Sequence, residues 1–356
     1  MERLLLTTGG TGGHIFPALA VAEALRRENP QARILFVGSD YGPEARLAAA
    51  AGLEFAGLPV RGLVGRGLRA VSAAARMAIA TGRALAIVRR FRPQVVAGFG
   101  GYAAFAPMLA GRCLGVPCVL HEQNAIPGAS NRLLARLARR VCLSLPVAEG
   151  FPREKCVLTG NPVRAAVAAV GGRPRDFSGR RLLIMGGSQG AHALNLYVME
   201  RLDLLRRAGV EVRHQTGKAD YEAVRAAYAD AGFPDGCVSP FIDDMAAAYA
   251  WADLAFCRAG ATTVAELCAA GLPAVLVPFP HAAHDHQRGN AEALSRVGAA
   301  RWLPEDRMRE EGLLESIIRL LDAPEERRQM ADAARRAARP QAAEAVCDVL
   351  EGLCRT

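Results

Sequence analysis

Short apolar runs alternate with amphipathic stretches along this chain. Arg3–Thr8 and Ile34–Val37 are almost unbroken apolar runs, the pattern of strands in a sheet covered on both faces. Between them, Ile15–Glu28 carries Ile15, Leu19, Ala22 and Leu25 at helical spacing. A long helical stretch from about Leu68 to Phe91 follows, then a strand at Gln94–Ala97, a helix after Gly101, a strand at Cys118–Leu120 and a helix after Gly128. Strands and helices taken in turn wind a parallel sheet. Between Asn161 and Arg180 the pattern breaks, with Pro162, Gly171, Gly172, Pro174 and Gly179 in a polar segment that reads as an interdomain linker. Alternation resumes through Arg181–Met185, Val210–Gln215, Val238–Phe241, Leu254–Phe256 and Ala274–Val277, and Gln341–Leu353 reads as a last helix. The expected fold class is α/β, with two Rossmann-like domains whose parallel sheets face one another across a cleft.

Two glycine-rich loops follow strands and open helices: Gly9-Gly10-Thr11-Gly12-Gly13-His14 and Gly186-Gly187-Ser188-Gln189-Gly190-Ala191. Glycines let backbone N–H groups approach an oxyanion closely, and the helix N-terminus adds partial positive charge. The first loop departs from the dinucleotide fingerprint, because Ile15 stands where the third glycine belongs and Phe36-Val37-Gly38-Ser39 brings no ribose-binding acid. Hydride transfer is therefore disfavoured. His14, at the mouth of the helix, is expected to stay neutral and able to accept a proton. A second constellation runs from Arg258 through Gly260, Thr262 and Thr263 to Glu266, a carboxylate about one turn into a helix and suited to the two hydroxyls of a ribose.

Composition narrows the setting. The chain has 356 residues, 51% hydrophobic and 22% charged, with a net charge of +9; that is a globular composition for two domains, with a preference for anionic partners. The nine cysteines form no C-x-x-C pair and no signal peptide is read at the start, so a reducing cytoplasm is expected. No apolar stretch approaches the roughly 20 residues that span a bilayer. Arg69, Arg76, Arg83 and Arg90 recur every seven residues, with Val71, Ala78 and Leu85 marking the opposite, core-facing side. Arg61, Arg66, Arg132, Arg136, Arg139 and Arg140 extend the basic patch, and Leu63, Val64, Leu68 and Ile79 add apolar contact for a membrane surface. His281, His284, Asp285 and His286 cluster in a loop, but no further ligand set accompanies them and no Asp-x-Asp motif occurs, so no metal is expected.

Taken in order, Gly9–His14 with Pro17-Ala18, Gly98-Phe99-Gly100-Gly101-Tyr102, His121-Glu122-Gln123-Asn124, Gly160-Asn161-Pro162-Val163-Arg164, Gly186–Ala191, Arg258–Glu266, and His286-Gln287 with Asn290-Ala291 resemble the MurG family of peptidoglycan N-acetylglucosaminyltransferases. The resemblance implies a GT-B glycosyltransferase with an acceptor-binding, membrane-facing domain at 1–163, a UDP-sugar-binding domain at 164–340, and a C-terminal helix at 341–356 crossing back to the first. It implies inverting transfer from UDP-N-acetylglucosamine to the C4 hydroxyl of undecaprenyl-pyrophosphoryl-N-acetylmuramyl-pentapeptide, without a cofactor. By the same resemblance, Ser188 and Gln189 lie near the donor diphosphate, Ile242 meets the uracil through its backbone, and Glu266 takes the ribose. Arg164 and the run Ala261, Thr262, Thr263, Val264 and Ala265 line the donor site, and Gln287 and Asn290 contact the sugar. Thr11, Gly12, Gly13 and Asn124 meet the donor from the first domain, where His14, Tyr102 and Glu122 face the reaction centre. The implied place is the cytoplasmic face of the plasma membrane, bound peripherally to anionic lipids, with cell-wall synthesis proteins as partners and no nucleic acid. The alternatives are another GT-B glycosyltransferase using a UDP-sugar with a different lipid acceptor, and a basic nucleotide-binding or membrane-binding module without catalysis; product analysis with competing acceptors and measured UDP release separate these readings.

Overall fold

The computed structural model describes residues 1–10, 12–60, 68–145, 150–187, 190–282, 285–310 and 312–354, with side chains of the helix Leu68–Phe91 described from Ala75 onward. Thr11, Arg61, Leu63, Val64, Arg66, Ser188, Gln189 and His284 lie outside the described residues, as do the side chains of Leu68, Arg69 and Val71. The chain divides into two compact units, Met1–Arg164 with Pro340–Thr356, and Ala165–Arg339.

The first unit runs β1 (Arg3–Thr7), α1 (Gly12–Glu28), β2 (Arg33–Ser39), α2 (Glu44–Ala50), β3 (Glu54–Leu58), α3 (Leu68–Phe91), β4 (Val95–Gly98), α4 (Phe105–Cys113), β5 (Cys118–Glu122), α5 (Ala129–Leu134), β6 (Arg140–Leu143) and β7 (Cys156–Leu158). Its seven strands lie in the order β3-β2-β1-β4-β5-β6-β7, and every pairing is parallel. Successive strand side chains point to opposite faces. Leu4 and Leu6 of β1 accordingly pack with Val21 and Leu25 of α1, while Leu5 packs on the other face with Ala84 and Val88 of α3 and Met108 of α4. The strand order reverses between β1 and β4, which makes the carboxyl ends of these two strands the switch point of the sheet.

The second unit runs α6 (Ala165–Ala168), β8 (Arg181–Met185), α7 (His192–Met199), α8 (Leu202–Arg207), β9 (Glu211–Gln215), α9 (Tyr221–Asp230), β10 (Val238–Ser239), α10 (Met245–Trp251), β11 (Leu254–Cys257), α11 (Ala261–Ala270), β12 (Ala274–Leu276), α12 (His286–Arg296), β13 (Ala300–Trp302), α13 (Leu313–Leu321) and α14 (Pro324–Ala337). The sheet order is β10-β9-β8-β11-β12-β13, again wholly parallel, with the reversal between β8 and β11. The last helix, α15 (Ala342–Cys354), belongs to the first unit. There Val346 and Leu350 join the cluster around Val21 and Leu25, and Glu351 pairs with the amino group of Met1 at 3.0 Å.

Two expectations are corrected. The segment between Asn161 and Arg180 is not a linker throughout: the units join at Arg164 and Ala165, and the residues from Ala165 to Arg180 pack into the second unit. Arg175 donates to the carbonyls of Tyr249 (2.9 Å) and Ala270 (3.1 Å), and Phe177 is buried under the Arg327 guanidinium, 5.6 Å from the ring centre. Gly171 is there because a side chain would strike the carbonyl of Ala269. The core face of α3 is also different, with Ala80, Ala84 and Val88 buried while Ala78 is exposed and Leu85 half-buried. At about 100° per residue, Ala78 lies about 200° round the helix from Ala80, so the buried stripe runs through Ala80, Ala84 and Val88 and not through Ala78.

Candidate active site

In the first unit, the loop after β1 rests backbone to backbone on the loop after β4. A side chain at Gly101 (φ 78°) would lie 2.1 Å from the carbonyl oxygen of Gly9, and one at Gly9 would strike Ala103. Glycine at both places is what lets the two loops meet. The amide of Gly10 donates to Oε1 of Glu44 at 3.0 Å, and Glu44 is fully buried at the start of α2. Tyr102, half-buried, follows Gly101, and its ring lies 3.9 Å from the position a side chain on Gly10 would take.

His14 lies in the first turn of α1, half-buried, with Nδ1 2.9 Å from Oε1 of Gln123. Desolvation lowers its pKa, outweighing the Gln123 and Phe99 hydrogen bonds that favour the charged ring. The ring is thus neutral near pH 7, as expected, but burial is the leading cause where the helix N-terminus was expected to be. Glu122, at the end of β5, is buried and differently occupied. Its Oε1 accepts from the backbone and side-chain amides of Asn124 (2.9 and 3.2 Å), and its Oε2 accepts from Nδ2 of Asn131 at 2.8 Å. Burial pushes its pKa up, against those donors and the backbone of Gly128. Arg164 lies over the Phe16 ring of α1, 5.0 Å from its centre.

In the second unit the loop after β8 is held in the same fashion. Gly187 (φ 83°) and Gly190 (φ 81°) take left-handed conformations, and a side chain on Gly190 would lie 2.1 Å from the Thr216 carbonyl oxygen. Gln215 at the end of β9 donates to the carbonyls of Gly187 (3.0 Å) and Pro240 (3.3 Å). It thereby ties this loop to the segment that carries half-buried Ile242. Across the switch point, β11 leads through Arg258 into α11. Arg258 is buried and donates to the carbonyls of Val277 and Pro278 (3.2 Å each) and to Glu305.

Glu266 is buried in α11 and accepts from the Tyr249 hydroxyl at 2.8 Å. Ala261, Thr262 and Thr263 form the first turn of this helix, where an oxyanion meets N–H groups and the positive end of the dipole. The side chain of Val264 is buried, and its N–H closes the first turn on Gly260 at 2.9 Å. Ala265 is half-buried in the second turn. Gln287 is half-buried, its Oε1 accepting from the amides of Ala259 (3.2 Å) and Phe279 (3.0 Å). Asn290 is wholly buried, its Nδ2 donating to the Ala259 carbonyl at 3.1 Å, so in this structure it supports the turn before α11. Among the described residues no three metal-ligating side chains converge, and no helix is long and apolar enough to cross a membrane.

Gln123, Asn131, Gln215 and Tyr249 are not legible as site residues in the sequence. Each acts by a hydrogen bond to a residue far off along the chain; only the shared face of His121 and Gln123, two apart at the end of a strand, hints at one of them.

Two parallel-sheet units, each with a glycine-lined loop at its switch point, define the GT-B fold, and the matches to known families make the chain a glycosyltransferase. Residues 4–143 match the glycosyltransferase family 28 N-terminal domain and residues 181–346 its C-terminal domain. The chain is 54% identical over 372 residues to the UDP-N-acetylglucosamine--N-acetylmuramyl-(pentapeptide) pyrophosphoryl-undecaprenol N-acetylglucosamine transferase of Nitratidesulfovibrio vulgaris (strain DSM 19637 / Miyazaki F), covering 99% of this chain and 97% of that one. The enzyme of the same description from Solidesulfovibrio magneticus is 48% identical, over 98% of this chain and 97% of its own. A crystal structure of Acinetobacter baumannii MurG superposes with a TM-score of 0.75 at 35% identity, covering 99% of this chain and 100% of that one. The chain belongs to the MurG family of glycosyltransferases.

Proposed function

We propose that this chain transfers N-acetylglucosamine from UDP-N-acetylglucosamine to the C4 hydroxyl of undecaprenyl-pyrophosphoryl-N-acetylmuramyl-pentapeptide, inverting the anomeric centre. The observation that carries this reading is His14, held by Gln123 at 2.9 Å at the glycine loop of one unit, in a chain whose other unit sets a buried carboxylate inside the helix that follows its switch point. The second unit holds the donor: Glu266 accepts the ribose hydroxyls, the backbone near Ile242 meets the uracil, and the loop with Ser188 and Gln189 receives the diphosphate together with the first turn of α11. The amide of Gln287 contacts the sugar. The first unit brings His14, Tyr102 and Asn124, with Gly12 and Gly13, to the acceptor and the anomeric carbon.

In the reaction the acceptor oxygen forms a bond to the anomeric carbon as the bond from that carbon to the β-phosphate oxygen breaks. The hydroxyl proton passes to His14, and the electron pair leaves with UDP. N–H groups at a helix mouth and Arg164 stabilise the charge that develops on the diphosphate. Arg76, Arg83 and Arg90, all exposed on α3, hold the enzyme to anionic lipid at the inner face of the membrane. Purified protein incubated with labelled UDP-N-acetylglucosamine and a short-chain analogue of the lipid acceptor is expected to yield a disaccharide-lipid and one UDP per transfer. Hydrolysis without a disaccharide-lipid, or no UDP release, would overturn the reading.

A further inference from the structure

The hydrogen bonds behind His14 run in one direction only. Gln123 is buried, and its amide group can be placed without ambiguity. Its Nε2 lies 2.9 Å from the carbonyl oxygen of Phe99 and 3.2 Å from that of His121. Carbonyl oxygens only accept, so the NH2 end must be the one that faces them. Oε1 is therefore the atom turned to Nδ1 of His14, 2.9 Å away, and an amide oxygen there requires a proton on Nδ1. The same logic fixes the second ring. Nε2 of His121 lies 3.0 Å from the carbonyl oxygen of Gly160 and must carry its proton, which leaves Nδ1 as an acceptor 3.1 Å from Gln123 Nε2, whose two hydrogens are shared among this nitrogen and the Phe99 and His121 carbonyls.

His121 is suited to that fixed role. It is buried, its ring stacks on Phe99 with centroids 5.4 Å apart, and desolvation holds its pKa down to about 4. It stays neutral, with one donor and one acceptor, over the range in which an imidazole base operates. It is also the titratable group that faces His14, and its own charging is what the chain resists.

We propose that Gln123 and His121 are positioning residues that hold His14 as its Nδ1–H tautomer, so that the lone pair of Nε2 is kept for the acceptor hydroxyl. The inference rests on the proposed role of His14 as base. Histidine bases are commonly oriented by a carboxylate, which also stabilises the imidazolium. Here a neutral amide does the orienting. It selects the tautomer with no charge of its own, and its pull towards the protonated ring is outweighed by desolvation of His14.

The test begins with the whole protein free of substrate, so its outcome is separate from that of the proposed reaction. In protein labelled with 15N-histidine, long-range 1H–15N correlations distinguish the two neutral tautomers, and His14→Ala and His121→Asn assign the signals. His14 is expected in the Nδ1–H form and His121 in the Nε2–H form; His14 as the Nε2–H form or an even mixture overturns the inference. Gln123→Met fills the space without an amide. It is expected to lower kcat at least tenfold, towards the ~10²–10⁴-fold that a positioned base contributes, with the KM for UDP-N-acetylglucosamine within about twofold of the parent. In Gln123→Met the Nδ1–H signal of His14 is expected to give way to the Nε2–H form or an even mixture. Parental kcat or an unchanged Nδ1–H signal in Gln123→Met would remove Gln123 from this role.

Discussion

Glu266 and Glu122 are both buried carboxylates, and their hydrogen bonds assign them different work. Glu266 takes a bond from the Tyr249 hydroxyl, which fixes its plane inside α11 for a ligand. Glu266→Ala is expected to weaken UDP binding by about 1.5–3 kcal/mol, the scale of a hydrogen bond to a charged group. Tyr249→Phe should weaken it less, since the carboxylate remains; calorimetric titration with UDP decides, and undiminished affinity in Glu266→Ala removes it from the site. Glu122 is held instead by Asn124 and Asn131, as the organiser of the turn between β5 and α5. Glu122→Ala should cost about 1–3 kcal/mol for each donor left buried without a partner, seen as a lower denaturant midpoint. His14→Ala should lose turnover at unchanged stability. A Glu122→Ala protein as stable as its parent but inactive would return Glu122 to the chemistry.

At the scale of elements, the interior strands are legible in the sequence because each is a short run buried on both faces. The apolar pattern marks Arg181–Met185 to the residue, and β1, β2, β4, β5 and β11 to within two residues at either end. It does not mark β3, β6, β7 and β13. β3 and β7 are edge strands, half-exposed, and β6 and β13 begin with or include an exposed arginine; of the four only β7, Cys156-Val157-Leu158, is apolar throughout, and at three residues it is shorter than the runs that mark a strand. The same limit hides His214 of β9, which looks like any polar strand residue. It is buried between Tyr228 and Asn195, and burial drives its pKa down to about 3. The sign follows from linkage. As pH falls below about 6.5 the unfolded chain binds a proton that folded His214 refuses until about pH 3. Stability is therefore lost across that window, at about 1.4 kcal/mol per pH unit for this group. His121 contributes likewise down to about 4. Urea unfolding at pH 7 and 5 should show the loss, and His214→Gln should reduce it; the same pH slope in both proteins would mean that His214 is not its source.

At the scale of the whole molecule, the proposed contact with a lipid surface rests on excess positive charge. The chain carries a net charge of +9, and in the first unit Arg76, Arg83 and Arg90 stand exposed along α3, with Ile79 beside them at 55% exposure. Arg132, Arg136, Arg139 and Arg140 are exposed in the same unit. Among the described residues, the buried side of α3 carries Ala80, Ala84, Val88 and Phe91, so substitutions at the exposed arginines leave this packing alone. Each basic side chain at an anionic membrane surface contributes about 1 kcal/mol. Arg76, Arg83 and Arg90 changed together to Ser should then lower partitioning onto phosphatidylglycerol vesicles by about 10²-fold. Turnover on a short-chain, water-soluble acceptor should be unchanged, because none of the three lies in either glycine loop. Salt should release the parent from these vesicles as the Debye length shortens, and phosphatidylcholine vesicles should bind parent and variant alike and poorly. Cosedimentation across a salt series measures each of these. Equal binding of parent and variant to the anionic vesicles would leave the stripe a solvated face whose charge serves solubility, and the membrane contact would have to be sought elsewhere on the molecule.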